Sequence, residues 1–180
     1  PPLRKGGVPQ DGGFETVEEA IAYEYGYYLE YCSQLVVLNR DSDLQMKQVK
    51  RTRAKVTAIK KANLLEDYAV NKKGTTFIIN STEYSFAALL PEELAYGIAM
   101  SKEAVSYFDL PFDRSFAHFT LPPGRGSLFE GIKDTVIIDS AYNANLSSME
   151  AMLRMYEKFP AEKKWAVIGD MLEQGRGEQE

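Results

Sequence analysis

The chain is poor in the residues on which several protein classes depend. Its 180 residues include one cysteine, Cys32, one histidine, His118, and one tryptophan, Trp165. A single thiol cannot close an internal disulfide, which excludes a disulfide scaffold and fits a reducing, cytoplasmic setting. A single imidazole excludes a multi-histidine metal centre and argues against a Ser-His-Asp triad. No uncharged apolar run approaches the roughly 18 residues that span a bilayer as a helix. The opening stretch, residues 1–13, is polar and rich in glycine and proline, and lacks the apolar segment of a secretory leader. There is no basic excess: 21 Lys and Arg against 26 Asp and Glu leave a net charge of −5, contrary to a general nucleic-acid binder. No phosphate-cradling G-x-x-x-x-G-K-[S/T] loop occurs, and no glycine is followed by lysine.

What is present is an ordinary folded mixture, 44% hydrophobic and 26% charged. The length suits one domain or parts of two. The chain starts Pro-Pro and stops in a charged stretch just after a strand-like run, so it reads as part of a longer protein.

Helical spacing of Ala20, Tyr23, Tyr27 and Tyr31 predicts a helix over 14–31, with Glu15, Glu18 and Glu19 in its first turn. Residues 34–38 read as a strand. Residues 39–43 read as a turn, with Ser42 or Asp43 as the cap of a helix over 44–51. Residues 55–59 read as a second strand. This alternation predicts an α/β fold with a parallel sheet. Three strands follow, over 68–70, 75–80 and 84–90, joined by turns at 71–74 and 80–83; they predict an antiparallel ribbon at the edge of the α/β layer. Pro91, Glu92 and Glu93 open a helix to about Tyr107.

Leu121-Pro-Pro-Gly-Arg-Gly126 is the best domain boundary, because two prolines forbid regular helix and two glycines permit unusual dihedrals. A β-α-β unit is expected after it. Residues 135–139 form an apolar strand covered on both faces. Ser147-x-x-Glu150 is a capping box opening a helix with Met149, Met152, Leu153 and Tyr156 on its apolar face. Residues 165–168 form the returning strand.

The segment Asp139-Ser-Ala-Tyr-Asn-Ala-Asn145 then falls between a strand's carboxyl end and a helix's amino end, where open α/β sheets bind ligands. Its Asp, Asn and Tyr side chains suit ribose, amide or phosphate groups. The same residue types also satisfy local turns. Gly169-Asp170-Met171 is expected to emerge beside it.

Asp139 to Met149, D-S-A-Y-N-A-N-L-S-S-M, resembles the Y-N-A-N-P-x-S-M motif of the Mur ligases. Val167-Ile-Gly-Asp-Met-Leu-Glu173 resembles their V-L-G-D-M-x-E-L-G segment, and Pro123-Gly-Arg-Gly126 their interdomain Gly-Arg. The resemblance covers residues 122–180 closely and 14–110 in outline. It implies a division at 121: residues 1–121 as the later part of a P-loop-type central α/β domain with an antiparallel ribbon, and residues 122–180 as the first half of a Rossmann-like C-terminal domain. It implies an ATP-dependent, Mg²⁺-assisted amide ligase of peptidoglycan precursor synthesis. Its partners would be a UDP-muramoyl-peptide and an amino acid or D-alanyl-D-alanine. Arg125, Asp139, Ser140, Tyr142, Asn143 and Asn145 would face the nucleotide, and Asp170 and Glu173 the substrate. The catalytic groups, phosphate loop and metal ligands would lie outside this chain, leaving it inactive alone. The chain departs from the family at several points. The helix over 15–31 has no lysine, the family's H-N-x-x-N is replaced by Pro91-Glu-Glu-Leu-Ala-Tyr96, and the motif proline is Leu146. These departures define an alternative, a non-catalytic relative that binds a nucleotide-sugar or a partner protein.

Two further signals read as structural. Seven basic residues between Lys47 and Lys61 form a solvated face and strand edge. The tyrosines at 23, 25, 27, 28 and 31 pack a helix face and place hydroxyls at its border. A β-α-β unit lacking its remaining strands exposes apolar faces, so the C-terminal part is expected to lean on the central part or on a neighbouring chain.

Overall fold

The computed structural model describes residues 13, 14 and 16–171. They fall into two compact units, one holding the described residues up to Lys60 together with Ala99–Pro111, the other Lys61–Ile98 and Phe112–Met171.

In the first unit, α1 spans Val17–Tyr31. Thr16 caps it by accepting the Glu19 N–H at 3.1 Å, and Glu18 and Glu19 lie where the helix dipole favours negative charge. Strands β1 (Leu35–Asn39) and β2 (Lys55–Ile59) pair in parallel, Leu35 opposite Lys55. A parallel pair needs a crossover. Helix α2, Asp43–Gln48, and a 3₁₀ turn over Val49–Arg51 supply it, with Ser42 as the N-cap. Burial alternates along β1, which hides Val36 and Leu38. The tyrosines of α1 divide. The Arg51 guanidinium stacks on the rings of Tyr23 and Tyr27, at 4.4 and 4.6 Å, and its Nε donates to Glu30 at 2.7 Å. Tyr25, Tyr28 and Tyr31 instead face solvent.

In the second unit, β3 (Leu65–Asn71), β4 (Gly74–Ile79) and β5 (Thr82–Phe86) form an antiparallel sheet in that order. The turn between β4 and β5 is the two-residue Asn80-Ser81, both at positive φ, the twist that matches a tight hairpin. The third strand stops at Phe86, four residues short of expectation. Leu90 N–H donates instead to the Thr75 hydroxyl at 2.9 Å, and Thr75 Oγ1 donates to the Ala88 carbonyl at 2.9 Å. Helix α3, Leu94–Tyr107, begins in this unit and ends in the first. After it come β6 (Ser127–Glu130), β7 (Val136–Asp139) and α4 (Leu146–Lys158).

The expected β-α-β unit is corrected in three places. Strand β7 is not covered on both faces: it pairs antiparallel with β6, which sequence reading missed, and Ile137 remains 54% exposed. Residues 165–168 form no strand, because no neighbouring backbone pairs with them among the described residues, and Trp165 and Val167 are open to solvent. The capping box opens two residues early, with Asn145 as N-cap paired to Ser148, so α4 buries Ala151 and Met155 and leaves Leu153 exposed.

One apolar core joins these pieces. Val70 and Leu89 from the ribbon and its exit meet Met155 and Phe159 of α4, with Leu128, Val136 and Ile138 of the hairpin packed against them. The C-terminal segment leans on the ribbon, and this core crosses the boundary expected at 121. Around its rim, Glu92 pairs with Lys61 at 3.1 Å and Lys158 at 2.9 Å, and Glu93 with Arg154 at 2.9 Å.

Candidate functional site

The loop after β7 carries most of the residues singled out in the sequence. Asp139 closes the hairpin opposite Ser127, and its Oδ1 accepts the Ala141 N–H at 2.9 Å. Asn143 Oδ1 accepts the Ala144 N–H at 2.9 Å. Asn145 Oδ1 accepts Ser148 N–H at 2.9 Å, and Ser148 Oγ accepts Asn145 N–H at 2.9 Å. Each of the three side chains thus braces its own turn with one oxygen. All three residues keep access to solvent.

Two backbone contacts clasp this loop to Pro123-Gly-Arg-Gly126. Gly126 N–H donates to Ser140 Oγ at 3.0 Å, and Tyr142 N–H donates to the Gly124 carbonyl at 3.2 Å. The two glycines are required: Gly124 and Gly126 adopt φ of +76° and +71°, a region that L side chains enter at a cost. Between them, Arg125 lays its guanidinium on the Tyr142 ring, with Cζ 4.7 Å from the centroid. Among the described residues Arg125 has no carboxylate partner, so its charge is oriented and not neutralised. The structure therefore brings Arg125, Asp139, Ser140, Tyr142, Asn143 and Asn145 into one loop pair. Asp170 lies exposed in coil beyond residues 165–168. Glu173 lies outside the described residues.

On the ribbon side of Arg125 lies an open cleft of about 670 Å³. Its walls are the exit of β5 (Ser85 to Leu89), the loop from Ser115 to Leu121 and the start of β6, with Lys72 at the rim. Sequence reading missed this loop. A run of phenylalanines, at 112, 116 and 119, was its signal. Asp113 shapes it by accepting the Ser115 hydroxyl at 2.7 Å and the Ser115 N–H at 2.8 Å, bonds that hold its carboxyl below the usual range. Phe116 takes a φ of +48° and stands 5.1 Å from the Phe86 ring, while Phe119 stands 5.3 Å from the same ring. Bulky residues reach such a φ only when their surroundings hold them there.

No protein-family model matches the chain. Over 59 residues, 33% of its length, it is 39% identical to the UDP-N-acetylmuramoyl-tripeptide–D-alanyl-D-alanine ligase of Rickettsia prowazekii (strain Madrid E), and the match covers 13% of that protein. Its fold is similar to the crystal structure of MurF ligase from Thermotoga maritima in complex with ADP, with a TM-score of 0.66 and 24% identity, over 82% of this chain and 35% of that one. The chain thus resembles the Mur ligases in sequence and has the α/β fold of one of them, while spanning about a third of that solved ligase.

Proposed function

We propose that the chain is part of a Mur-type ligase that joins D-alanyl-D-alanine, or an amino acid, to a UDP-muramoyl-peptide at the expense of ATP. The setting would be the cytoplasm and the product a peptidoglycan precursor. One observation carries the reading. The loops resembling the family's Gly-Arg and Y-N-A-N segments, 14 residues apart at the Gly126–Ser140 bond, are clasped together around an oriented, unneutralised arginine.

In such a reaction the substrate carboxylate oxygen takes the γ-phosphoryl group and ADP leaves. The amine nitrogen then attacks the carbonyl carbon, phosphate departs and the amine loses a proton. The charge that moves onto phosphate oxygens calls for fixed cations. Arg125 is suited to that task, because a planar guanidinium can lie on Tyr142 and still present its N–H groups. Asp139 and Ser140 would approach the ribose, and Tyr142, Asn143 and Asn145 would line the C-terminal side. Asp170 and Glu173 would face the substrate. In this reading the domain junction falls at 121–122, and the P-loop and catalytic groups belong to the parent protein outside this chain.

Magnesium is a separate matter. Among the described residues no group of three or more His, Cys, Asp or Glu could hold a metal ion. The ligands of the magnesium ion would belong to the parent protein outside this chain.

The test is phosphate release by the full-length parent given ATP, UDP-muramoyl-tripeptide and D-alanyl-D-alanine. Release should need all three, and Arg125→Ala should lower it at least about tenfold, the scale of losing one transition-state contact. Release indifferent to the dipeptide, or to Arg125, would overturn the reading.

A further inference from the structure

We propose that the solvent-facing side of α1, lined by Glu24, Tyr25, Tyr28 and Tyr31, docks an arginine-rich segment of a partner protein, with guanidinium groups lying on the tyrosine rings. This surface belongs to the first unit, and the proposal does not depend on the ligase reading.

Helix α1 already holds one arginine in this manner. Tyr23, Gly26, Tyr27 and Glu30 recur at helical spacing and so share one side of it. There the Arg51 guanidinium lies 4.4 Å from the Tyr23 centroid and 4.6 Å from the Tyr27 centroid, and its Nε donates to Glu30 at 2.7 Å. Gly26 is buried against it, and a Cβ at that position would collide with the guanidinium. Two rings and one carboxylate therefore accommodate one guanidinium.

The far side of the helix repeats these components. Glu24, Tyr28 and Tyr31 follow one another a turn apart, with Tyr25 beside Tyr28. The Tyr25 and Tyr28 rings are 6.1 Å apart, tilted by 35°. Tyr25, Tyr28 and Tyr31 are 65%, 74% and 85% exposed. Among the described residues no lysine or arginine lies over these three rings, and Glu24 forms no ion pair. The rings and the carboxylate are in place without a cation.

Charge selects the partner. Glu18, Glu19, Glu24 and Glu30 are the only charged side chains of α1. Exposed rings can stack bases, but a helix bearing only carboxylates repels a phosphate backbone, which leaves a cationic polypeptide. Arginine fits better than lysine, because a planar, weakly hydrated guanidinium stacks on a ring while its N–H groups reach a carboxylate. A single exposed cation–π contact contributes little, so a lasting grip needs several arginines on one segment. The ring spacing of 6.1 Å is close to the roughly 6.6 Å between alternate side chains of an extended chain. A segment with arginine at every second position therefore matches.

The test titrates this chain with a short peptide alternating arginine and glycine, followed by NMR of the tyrosine rings. Signals of Tyr25, Tyr28 and Tyr31 should move, and those of Tyr68 and Tyr84 should stay. The peptide with lysine in place of arginine should bind at least about fivefold less tightly. Tyr25→Leu combined with Tyr28→Leu keeps apolar volume and helix propensity without the rings, and should lower arginine-peptide affinity about tenfold. Phenylalanine at both positions should retain it. Glu24→Gln should lower it about threefold and weaken its salt dependence. No binding, equal binding of the lysine peptide, affinity unaltered in the leucine variant, or tighter binding of a single-stranded oligonucleotide would each overturn the proposal. Binding by this chain that the full-length parent lacks would overturn it as well, because the parent would then cover this side of α1 itself.

Discussion

Gly126 lies against the Leu89 carbonyl oxygen in a left-handed conformation, φ +71°, so that any side chain there would meet backbone. The contact ties the start of β6 to the ribbon's exit, beneath the clasp with Ser140. Gly126→Ala would impose both the left-handed penalty and a collision that no rotamer relieves. We expect a loss of about 2 kcal/mol or more, read as a lower urea midpoint at unchanged slope. An unaltered midpoint would remove Gly126 from the account of how Arg125 is placed.

Asn145 is the second structural residue in the candidate site. Its side chain closes a reciprocal box with Ser148 at the head of α4. Asn145→Ala should cost about 1 kcal/mol, and Asn145→Asp or Ser much less, because those residues can cap as well. Urea unfolding followed by circular dichroism orders the variants. If alanine matched the parent residue, the cap would contribute nothing. A ligand role shows separately, as Asn145→Asp that folds normally but binds nucleotide less well.

These two residues also show what a sequence reveals. Local chemistry was legible: Lys55–Ile59 is a strand to the residue, Ser42 caps its helix, and 140–145 is a loop between a strand and a helix. Contacts between distant segments were not. The Gly126–Ser140 bond and the Arg125–Tyr142 stack need β6 and β7 to pair first. Strand β6, only Ser127-Leu-Phe-Glu130, is too short to alternate visibly. Residues 165–168 have strand composition, but a strand exists only where a partner accepts its hydrogen bonds. The aromatic wall escaped because Phe112, Phe116 and Phe119 sit in a linker whose role appears only against Phe86 and Tyr84.

Acid should loosen the rim of the second unit. Burial pushes the Glu92 carboxyl upward, but hydrogen bonds from Lys158 and Lys61 outweigh it, and the net shift is downward. Glu93, Arg154 and Tyr68 also face this cluster. A depressed carboxylate contributes stability that is fully present above its ordinary value of 4.5 and lost as pH falls through the lower folded value. Urea midpoints measured downward from pH 6 should therefore decline below pH 4.5, and Glu92→Gln should flatten that decline. Molar salt should shrink the difference between the two proteins, since the pairs are open to solvent. Parallel pH profiles for the two would count against Glu92 as the group responsible.

Trp165 is the chain's single tryptophan, so its fluorescence reports one place. It is 86% exposed, beside Val167 at 101% and Ile168 at 58%, an apolar run without cover. Its carbonyl accepts the Tyr156 hydroxyl at 2.7 Å, which holds the segment near the end of α4 without burying it. Runs of this kind mark surfaces that something else occupies. In this chain acrylamide should quench Trp165 almost as readily as free indole. In the full-length parent, where a ligase of this type would continue the sheet, quenching should fall several-fold and the emission should shift to the blue. Equal quenching in both would mean that residues 165–168 stay bare in the parent, and the Rossmann-like reading of residues 122–180 would lose its returning strand.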